Sequence, residues 1–464
     1  MAKKQDIHFN ISERKILLRI LDLVFVLLSL YVLSIVFDFD YFTINEENWT
    51  WLFVLLIYIT VFGTVFELYD LQKASKTESV IANIVLTASV TVLFYLLTPF
   101  FTPSLPENRL QILFFYLAIV VALFLWRMAY INFVTSPRFY KKVLIVGEVS
   151  NIEPIMNAFK NSDPNYKILG FINCEAKNES TIKIKGIKEY LPNQIHEIII
   201  NENISEIVVA SYNSETITTE IYHDLIILLE RGFPIKEYTQ VYEDMTHRVP
   251  VQFVGKDFYK YFPFSRSNQN KLYLFFHRFF DLMFSVVGIL LGVVLCPIIL
   301  LGNLLASRGP LFYSQERVGK NGEVFKIIKF RTMIQNAEKN GAVWASKNDA
   351  RVTLFGKFLR RSRLDEIPQF INILKGNMSL IGPRPERPYF VQELSQVIPF
   401  YETRHIVKPG LTGWAQVKVK YGSTVDDSLL KLQYDLYYIK HRSFFLDANI
   451  IVKTLSTMIF FRGQ

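Results

Sequence analysis

The chain has 464 residues, 51% of them hydrophobic, and a formal net charge of +9. That length holds two or three domains, and so apolar a composition excludes an ordinary soluble protein and makes a membrane protein the expectation. The positive charge suits an anionic partner, whether a phosphate-bearing substrate, an acidic bilayer surface or nucleic acid.

The two cysteines, Cys174 and Cys296, lie far apart, one in a polar stretch and one in an apolar run, so neither a disulfide framework nor a zinc site is expected. The soluble parts are expected in a reducing cytoplasm. From the N-terminus, four apolar segments at about 16–37, 50–66, 80–98 and 110–134 each approach the roughly 20 residues that cross a bilayer. They predict a four-helix transmembrane bundle over 1–140. Basic residues gather in "MAKK", "SERK", the loop with Lys73 and Lys76, and "SPRFYKK", while "DFDYFTINEEN" has none. Both ends of the bundle are therefore expected in the cytoplasm. No small-residue cleavage site follows the first segment, which reads as a retained helix. The bundle shows almost none of the buried ionisable residues that mark a transport path, and reads as an anchor.

From Lys141 the pattern becomes that of a parallel α/β domain, expected over 141–265. "KKVLIVG" and "ISEIVVAS" read as buried strands, and "TITTEIYHDLIILLERGFPIKEY" as an amphipathic helix followed by a strand. The domain is Rossmann-like, but its first turn, "GEVSNI", lacks the second and third glycines that let a dinucleotide pyrophosphate approach the backbone. A structural or regulatory module is favoured over an NAD site.

The segment "RFFDLMFSVVGILLGVVLCPIILLGNLLASRGP" is long enough to span, yet residues 307–464 carry 25 Lys and Arg against 13 Asp and Glu. Exporting so basic a domain conflicts with the positive-inside rule. Pro297 removes a backbone hydrogen bond near the middle of the segment, and a bent, re-entrant helix would keep the domain cytoplasmic yet pinned to the surface. A kinked spanning helix is the alternative.

In 266–464, "YSQERVGKNGEVFKIIKFRTM" reads as two strand-like stretches around Lys320-Asn321-Gly322, ending in Lys326, Lys329 and Arg331, residue types suited to phosphate oxygens. "LRRSRLDEIPQFINILKG" places Asp365 as a candidate cap of a helix with Pro368 in its first turn and its end near Gly376. Adjacent helical residues point about 100 degrees apart, so Asp365 and Glu366 cannot share one job: one suits a substrate phosphorus, the other a metal. The seven histidines show no metal spacing and none is expected to be catalytic. The last apolar stretch, "SFFLDANIIVKTLSTMIFF", contains Asp447 and Lys453 and reads as an interfacial helix. Trp414 is expected either in a core or as an interfacial anchor.

The blocks "QERVGKNGEVFKIIKFRTM", "RSRLDEIPQFINILKGNMSLIGPRPE" and "VKPGLTGWAQV" resemble the signature blocks of the bacterial sugar transferase family, the monotopic polyprenyl-phosphate phosphoglycosyl transferases. The resemblance runs almost continuously over 270–464, and the bundle plus Rossmann-like domain ahead of it is similar to the large members. It implies a mixed membrane protein: a four-helix transmembrane bundle, a Rossmann-like α/β domain, a re-entrant helix and a mainly α-helical monotopic catalytic domain. It also implies a multi-pass protein of the bacterial inner membrane with that domain on the cytoplasmic face.

The reaction so implied moves sugar 1-phosphate from a UDP-sugar to undecaprenyl phosphate, releasing UMP and starting a surface polysaccharide or glycoconjugate. By the resemblance Asp365 is the nucleophile that forms an aspartyl phosphosugar, and Glu366 helps hold Mg2+. Arg360 matches the family's phosphate-binding Arg, while Lys329, Arg331, Arg384 and Glu386 fall in its other blocks as substrate-binding candidates. Pro297 matches the break of the re-entrant helix, with Cys296 where a Ser often precedes it. The partners are then UDP-sugar, undecaprenyl phosphate and the lipid bilayer, without nucleic acid; a homodimer is compatible. The rival readings are a membrane-anchored scaffold or regulator with a nucleotide-sensing α/β domain, which leaves the basic blocks idle, and a UDP-sugar epimerase, which needs glycines that "GEVSNI" lacks.

Overall fold

The computed structural model describes residues 11–459 except 38, 43–47, 135–138, 149–154, 157–158, 160–162, 164, 175–186, 211–216, 252–269, 307–308, 336, 338–348, 420–421 and 423. The "MAKK" terminus, most of the "GEVSNI" turn and Arg308 therefore lie outside the described residues. The chain divides into two units, Met1–Thr246 and His247–Gln464.

The first unit begins with α1 (Ile11–Val36), α2 (Trp49–Val65), the short α3 (Leu71–Ala74), α4 (Thr77–Leu97) and α5 (Leu110–Ala129). Among the described residues, helices long and apolar enough to cross a membrane are Ser12–Val36, Thr77–Leu97, Leu110–Val134 and Lys271–Leu305; Trp49–Val65 is shorter. Leu30, Leu55, Ile59, Ile84, Tyr95, Phe115 and Ile119 interlock in the bundle centre, while Ile20, Phe53, Leu93 and Leu125 stay exposed. Helices in lipid gain little from burying apolar surface against one another, so close packing and polar contacts hold them.

The bundle, expected to hold almost none of the buried ionisable residues that mark a transport path, does hold a buried ion pair. Arg127 on α5 donates from Nη2 to Asp22 Oδ2 on α1 at 2.6 Å, with both side chains fully buried. Arg19 and Arg127 flank the Tyr69 ring, at 5.2 and 5.6 Å from its centroid. The pair ties α1 to α5. Asp22 and Arg127 lie 105 positions apart, a separation no local pattern reveals. A second buried pair, Arg14 with Asp163, ties α1 to the α/β part. Removing one partner leaves the other charge buried and unpaired, so Arg127→Met should cost about 3–5 kcal/mol, read as a fall in the melting temperature of the purified protein. Unchanged melting would show that the pair carries no stability.

The α/β part contains β1 (Lys141–Gly147), β2 (Tyr166–Asn173), β3 (Lys188–Tyr190), α6 (Ile195–Asn201), β4 (Glu206–Ala210), α7 (Thr219–Glu230), β5 (Ile235–Glu237) and α8 (Tyr238–Thr246). The strands form one parallel sheet in the order β3-β2-β1-β4-β5. Continuous Val/Ile runs suit strands covered on both faces, and Val143, Leu144, Ile145 and Val146 are fully buried. Strands β2 and β3 escaped the sequence reading: β2 is interrupted by Gly170, and β3 is three residues long.

In the second unit α9 (Lys271–Ala306) runs as one helix with Pro297 inside it. One stripe, containing Asp281, Ser285, Ile299 and Asn303, is buried against the following domain, while Phe275, Leu290, Val294, Ile298 and Leu305 remain exposed. The domain comprises the antiparallel hairpin β6 (Phe312–Val318) and β7 (Val324–Phe330), α10 (Leu354–Arg361), α11 (Gln369–Lys375), β8 (Ser379–Ile381), α12 (Pro388–Val397), β9 (Gly410–Thr412), α13 (Trp414–Lys418), α14 (Val425–His441) and α15 (Phe444–Ile459). Leu432, Leu436, Tyr438 and Ile439 of α14 pack with Phe390, Leu394 and Ile450. Trp414 belongs to this core, 2% exposed, with Nε1 donating to the His247 carbonyl. α15 does more than rest on a surface: Asp447 turns inward and accepts from Tyr273 Oη at 2.7 Å and Tyr438 Oη at 3.1 Å.

Candidate active site

Asp365 and Glu366 sit in the tight turn Leu364–Glu366, between α10 and α11. The turn is entered through Arg363 at φ 59°, a left-handed conformation that side-chain-bearing residues seldom adopt. Here the expectation of Asp365 as a helix cap is corrected: Pro368 holds the N-cap position of α11, with no side-chain capping bond. The 3-10 turn ahead of Pro368 points the carboxylates elsewhere. α11 ends at Gly376, whose φ of 87° suits a residue without Cβ.

Three cations converge on Glu366. Oε1 accepts from Arg384 Nη2 at 2.7 Å and Lys329 Nζ at 3.2 Å, and Oε2 from Arg363 Nη1 at 3.4 Å. Burial alone would raise this carboxyl, but Arg384, Lys329 and Arg363 together outweigh it and hold Glu366 well below the usual range. Asp365 goes the other way. Burial first, and the Glu366 charge second, raise it to about 6, against the pull of Lys329, Arg360 and Arg363. Two adjacent carboxylates are thus driven apart, one locked as an anion and one titrating near neutrality. Asp365 Oδ1 is buried without a hydrogen-bond partner among the described residues, so one oxygen of the pair is not spent on the fold.

The residues that position this centre come from separate elements. Lys329 lies on β7, opposite Tyr313 on β6. Arg384 lies in the extended run Gly382–Glu386, whose backbone is held at successive residues. Gly382 N donates to Thr412 O, Pro383 O accepts from Gly410 N, and Arg384 O accepts from Arg404 Nη2 at 3.0 Å. Pro385 O accepts from Arg317 Nη1, and Glu386 O from Val318 N. The blocks "GPRPE" and "KPGLTG" meet through glycine: a Cβ on Gly410 would lie 2.1 Å from Gly382 N. Arg404 itself is anchored to Asp435 Oδ2 at 2.7 Å and to Tyr401 Oη at 2.7 Å.

Helix α9 grips the same segment. Arg278 donates to the carbonyls of Ile373 and Leu374 at the end of α11, and Asp281 Oδ1 accepts from Ser379 Oγ and Leu380 N. Gly288 lies against the Phe370 ring, and Gly292 against Ile367.

Of the candidate residues, the structure brings Asp365, Glu366, Lys329 and Arg384 together. Arg360 acts on Asp365 through its field and donates from Nε to Thr332 Oγ1 at 2.9 Å. Arg331 instead reaches Asn303 of α9 from Nη2 at 3.1 Å, and Glu386 pairs with Arg317 at 3.5 Å. The sequence reading missed Arg363, Arg317 and Arg404. For Arg363 the signal was available in its place two residues before Asp365; the other two act through folded contacts alone. Among the described residues, no group of three or more His, Cys, Asp or Glu side chains assembles into a metal site.

The family model described as bacterial sugar transferase matches residues 272–461. A UDP-N-acetylgalactosamine-undecaprenyl-phosphate N-acetylgalactosaminephosphotransferase of Aeromonas hydrophila is 42% identical over 228 residues, 49% of this chain and 52% of the relative. A Bacillus subtilis protein named as a candidate undecaprenyl-phosphate N-acetylgalactosaminyl 1-phosphate transferase is 45% identical over 141 residues, 30% of this chain and 79% of the relative. A UDP-glucose:undecaprenyl-phosphate glucose-1-phosphate transferase of Xanthomonas campestris is 42% identical over 177 residues, 38% of this chain and 37% of the relative. The chain thus spans about half the length of the Aeromonas protein and less of the Xanthomonas one.

Proposed function

The chain belongs to the bacterial sugar transferase family, and from that premise we propose that it transfers sugar 1-phosphate from a UDP-sugar to undecaprenyl phosphate, releasing UMP. The observation that carries the reading is the unequal carboxylate pair inside a cluster of Lys329, Arg363 and Arg384. A binding module gains nothing from a buried carboxyl with an unpartnered oxygen, whereas covalent transfer needs one.

In the first step, an Asp365 carboxylate oxygen forms a bond to the phosphorus bearing the sugar. The bond from that phosphorus to the bridging oxygen breaks, and its electron pair leaves with UMP. In the second, an oxygen of the lipid phosphate attacks the same phosphorus and Asp365 departs as carboxylate. Lys329 and Arg384, held by Glu366, face the diphosphate charge, and Arg360 adds to the field. Glu366 would hold an Mg2+ ion, which would supply charge neutralisation of the diphosphate, in keeping with the few protein carboxylates such ions use. Glu366 Oε2, which makes one long contact of 3.4 Å with Arg363 Nη1 among the described residues, is the donor oxygen left for such an ion.

We further propose three parts, residues 1–140, 141–265 and 266–464, with a Rossmann-like middle part and α9 re-entrant from the cytoplasmic face of the inner membrane. The parallel sheet supports the former. For the latter, Arg278 and Asn303, near opposite ends of α9, both bond the same domain.

UMP release by purified membranes with undecaprenyl phosphate, Mg2+ and a panel containing UDP-N-acetylgalactosamine and UDP-glucose tests the reaction. Release with at least one donor is expected, and none with any donor would refute it. The pH dependence is also fixed. Asp365 attacks as the anion, and its carboxyl is raised to about 6, so attachment of phosphosugar with donor alone should rise as pH climbs through about 6 and level above it. Attachment unchanged from pH 5 to 8 would contradict a raised nucleophile.

A further inference from the structure

Helix α10 presents a face that the reaction as described does not use. Its residues Leu354, Lys357, Phe358 and Arg361 recur at the spacing that shares one side of a helix, and all four are exposed. Leu354 is 84% and Phe358 55% exposed, large apolar groups in open solvent. Neither Lys357 nor Arg361 pairs with a carboxylate among the described residues, and the run 354–364 contains no Asp or Glu at all. The opposite side is fully used. Leu359 is buried with Ile299 and Ile367, and the Phe355 ring sits against Gly302 of α9. That contact joins α10 to the stretch of α9 carrying exposed Ile298, Leu301 and Leu305.

Apolar groups beside unpaired cations suit an amphiphile with an anionic head. What marks this face out from a general lipid-facing surface is where it leads. From Leu354 to Arg361 the helix advances about 10 Å. The chain then turns through Ser362, Arg363, whose guanidinium bonds Glu366, and Leu364 into Asp365. A phosphate held at Arg361 stands a few residues from the nucleophile, and an apolar tail behind it would lie along Phe358 and Leu354 toward α9.

We infer that this face of α10 is the docking site of the acceptor, a polyprenyl phosphate, with Lys357 and Arg361 taking its phosphate and Leu354 and Phe358 its first isoprene units. The inference rests on the reaction proposed above, and assigns its two substrates to different residues: the donor to the Lys329, Arg384 and Asp365 centre, and the acceptor to α10. Separate sites let the second step be lost while the first survives.

The test is a two-stage experiment on the full chain in zwitterionic micelles, where membrane attachment is not required. Donor alone first attaches labelled phosphosugar; a polyprenyl phosphate is then added and discharge of the label is timed. For Lys357→Gln/Arg361→Gln, and separately for Leu354→Ser/Phe358→Ser, attachment should stay within about two-fold of the wild type. The acceptor concentration for half-maximal discharge should rise about ten-fold or more in each, the first variant losing charge-assisted hydrogen bonds to the phosphate and the second apolar contact with the isoprene units. Excess acceptor should restore the rate. Unchanged discharge would overturn the inference, and weaker binding to anionic phospholipid vesicles would then make α10 a general lipid surface. Equal loss of attachment and discharge would also overturn it, assigning α10 a structural role. If the wild type attaches no label yet transfers sugar phosphate, the covalent reading itself fails, and the separation of sites with it.

Discussion

Asp365→Asn should abolish transfer, by on the order of 10^4-fold or more, as replacement of a covalent nucleophile does, while leaving the protein folded. The two halves of that expectation have different causes. The amide cannot attack phosphorus and leave again, so both UMP release and phosphosugar attachment should vanish together. Stability should move the other way or not at all. The folded state raises the Asp365 carboxyl to about 6, through burial and repulsion from Glu366. A group whose carboxyl is raised on folding opposes folding at pH values above its unfolded range. Removing the charge therefore relieves a cost, and the variant's melting temperature at pH 7.5 should equal or exceed that of the wild type. A label retained by Asp365→Asn would assign the nucleophile elsewhere; lost activity with a collapsed melting temperature would reduce Asp365 to a structural role.

Glu366→Gln should lose about 10^2- to 10^3-fold in both attachment and discharge, the scale of losing one electrostatic group at a reacting centre, and should also lower stability, since breaking a buried charge network costs about 3–5 kcal/mol. Lys329, Arg363 and Arg384 all bond this carboxylate, and an amide cannot balance three cations. Part of the loss is misplacement of Arg384, whose backbone remains fixed by Arg404 while its side chain loses its partner. Unlike Asp365→Asn, this variant should melt lower. It should also shift the acid limb of whatever attachment remains. With the Glu366 charge gone, Lys329, Arg360 and Arg363 pull Asp365 downward without that opposition, so the limb should move to below pH 6. A limb that stays put would show that burial alone sets the Asp365 carboxyl; a limb that moves up would contradict the charge balance altogether.

Much of the fold was legible where one segment carries its own pattern. The apolar runs marked the bundle helices, "KKVLIVG" and "ISEIVVAS" marked β1 and β4, and the Gly turn at 320–322 marked the hairpin that carries Lys329. The failures share a physical cause. Asp22 and Arg127 drew no notice in the sequence because burial and partnership are set by helix packing across more than a hundred residues. Asp365 read as a cap because Asp before a Pro-started helix usually is one; the left-handed Arg363 and the extra 3-10 turn displace it. Arg331 and Lys329 stand two positions apart in sequence. Lys329 reaches Glu366 while Arg331 turns to Asn303 of α9, a difference that composition cannot encode. Arg404 was invisible for a further reason: it acts on a carbonyl of Arg384, and backbone acceptors carry no residue signature.

The most direct measurement is a mass spectrum of the purified protein, intact and after proteolysis, following incubation with a competent UDP-sugar and Mg2+ in the absence of lipid phosphate. The account predicts release of about one UMP per active protein, and a mass increase of one phosphosugar on the peptide containing Asp365, discharged when undecaprenyl phosphate is added. Release of UMP only when the lipid phosphate is present, with the protein's mass unchanged throughout, would contradict it.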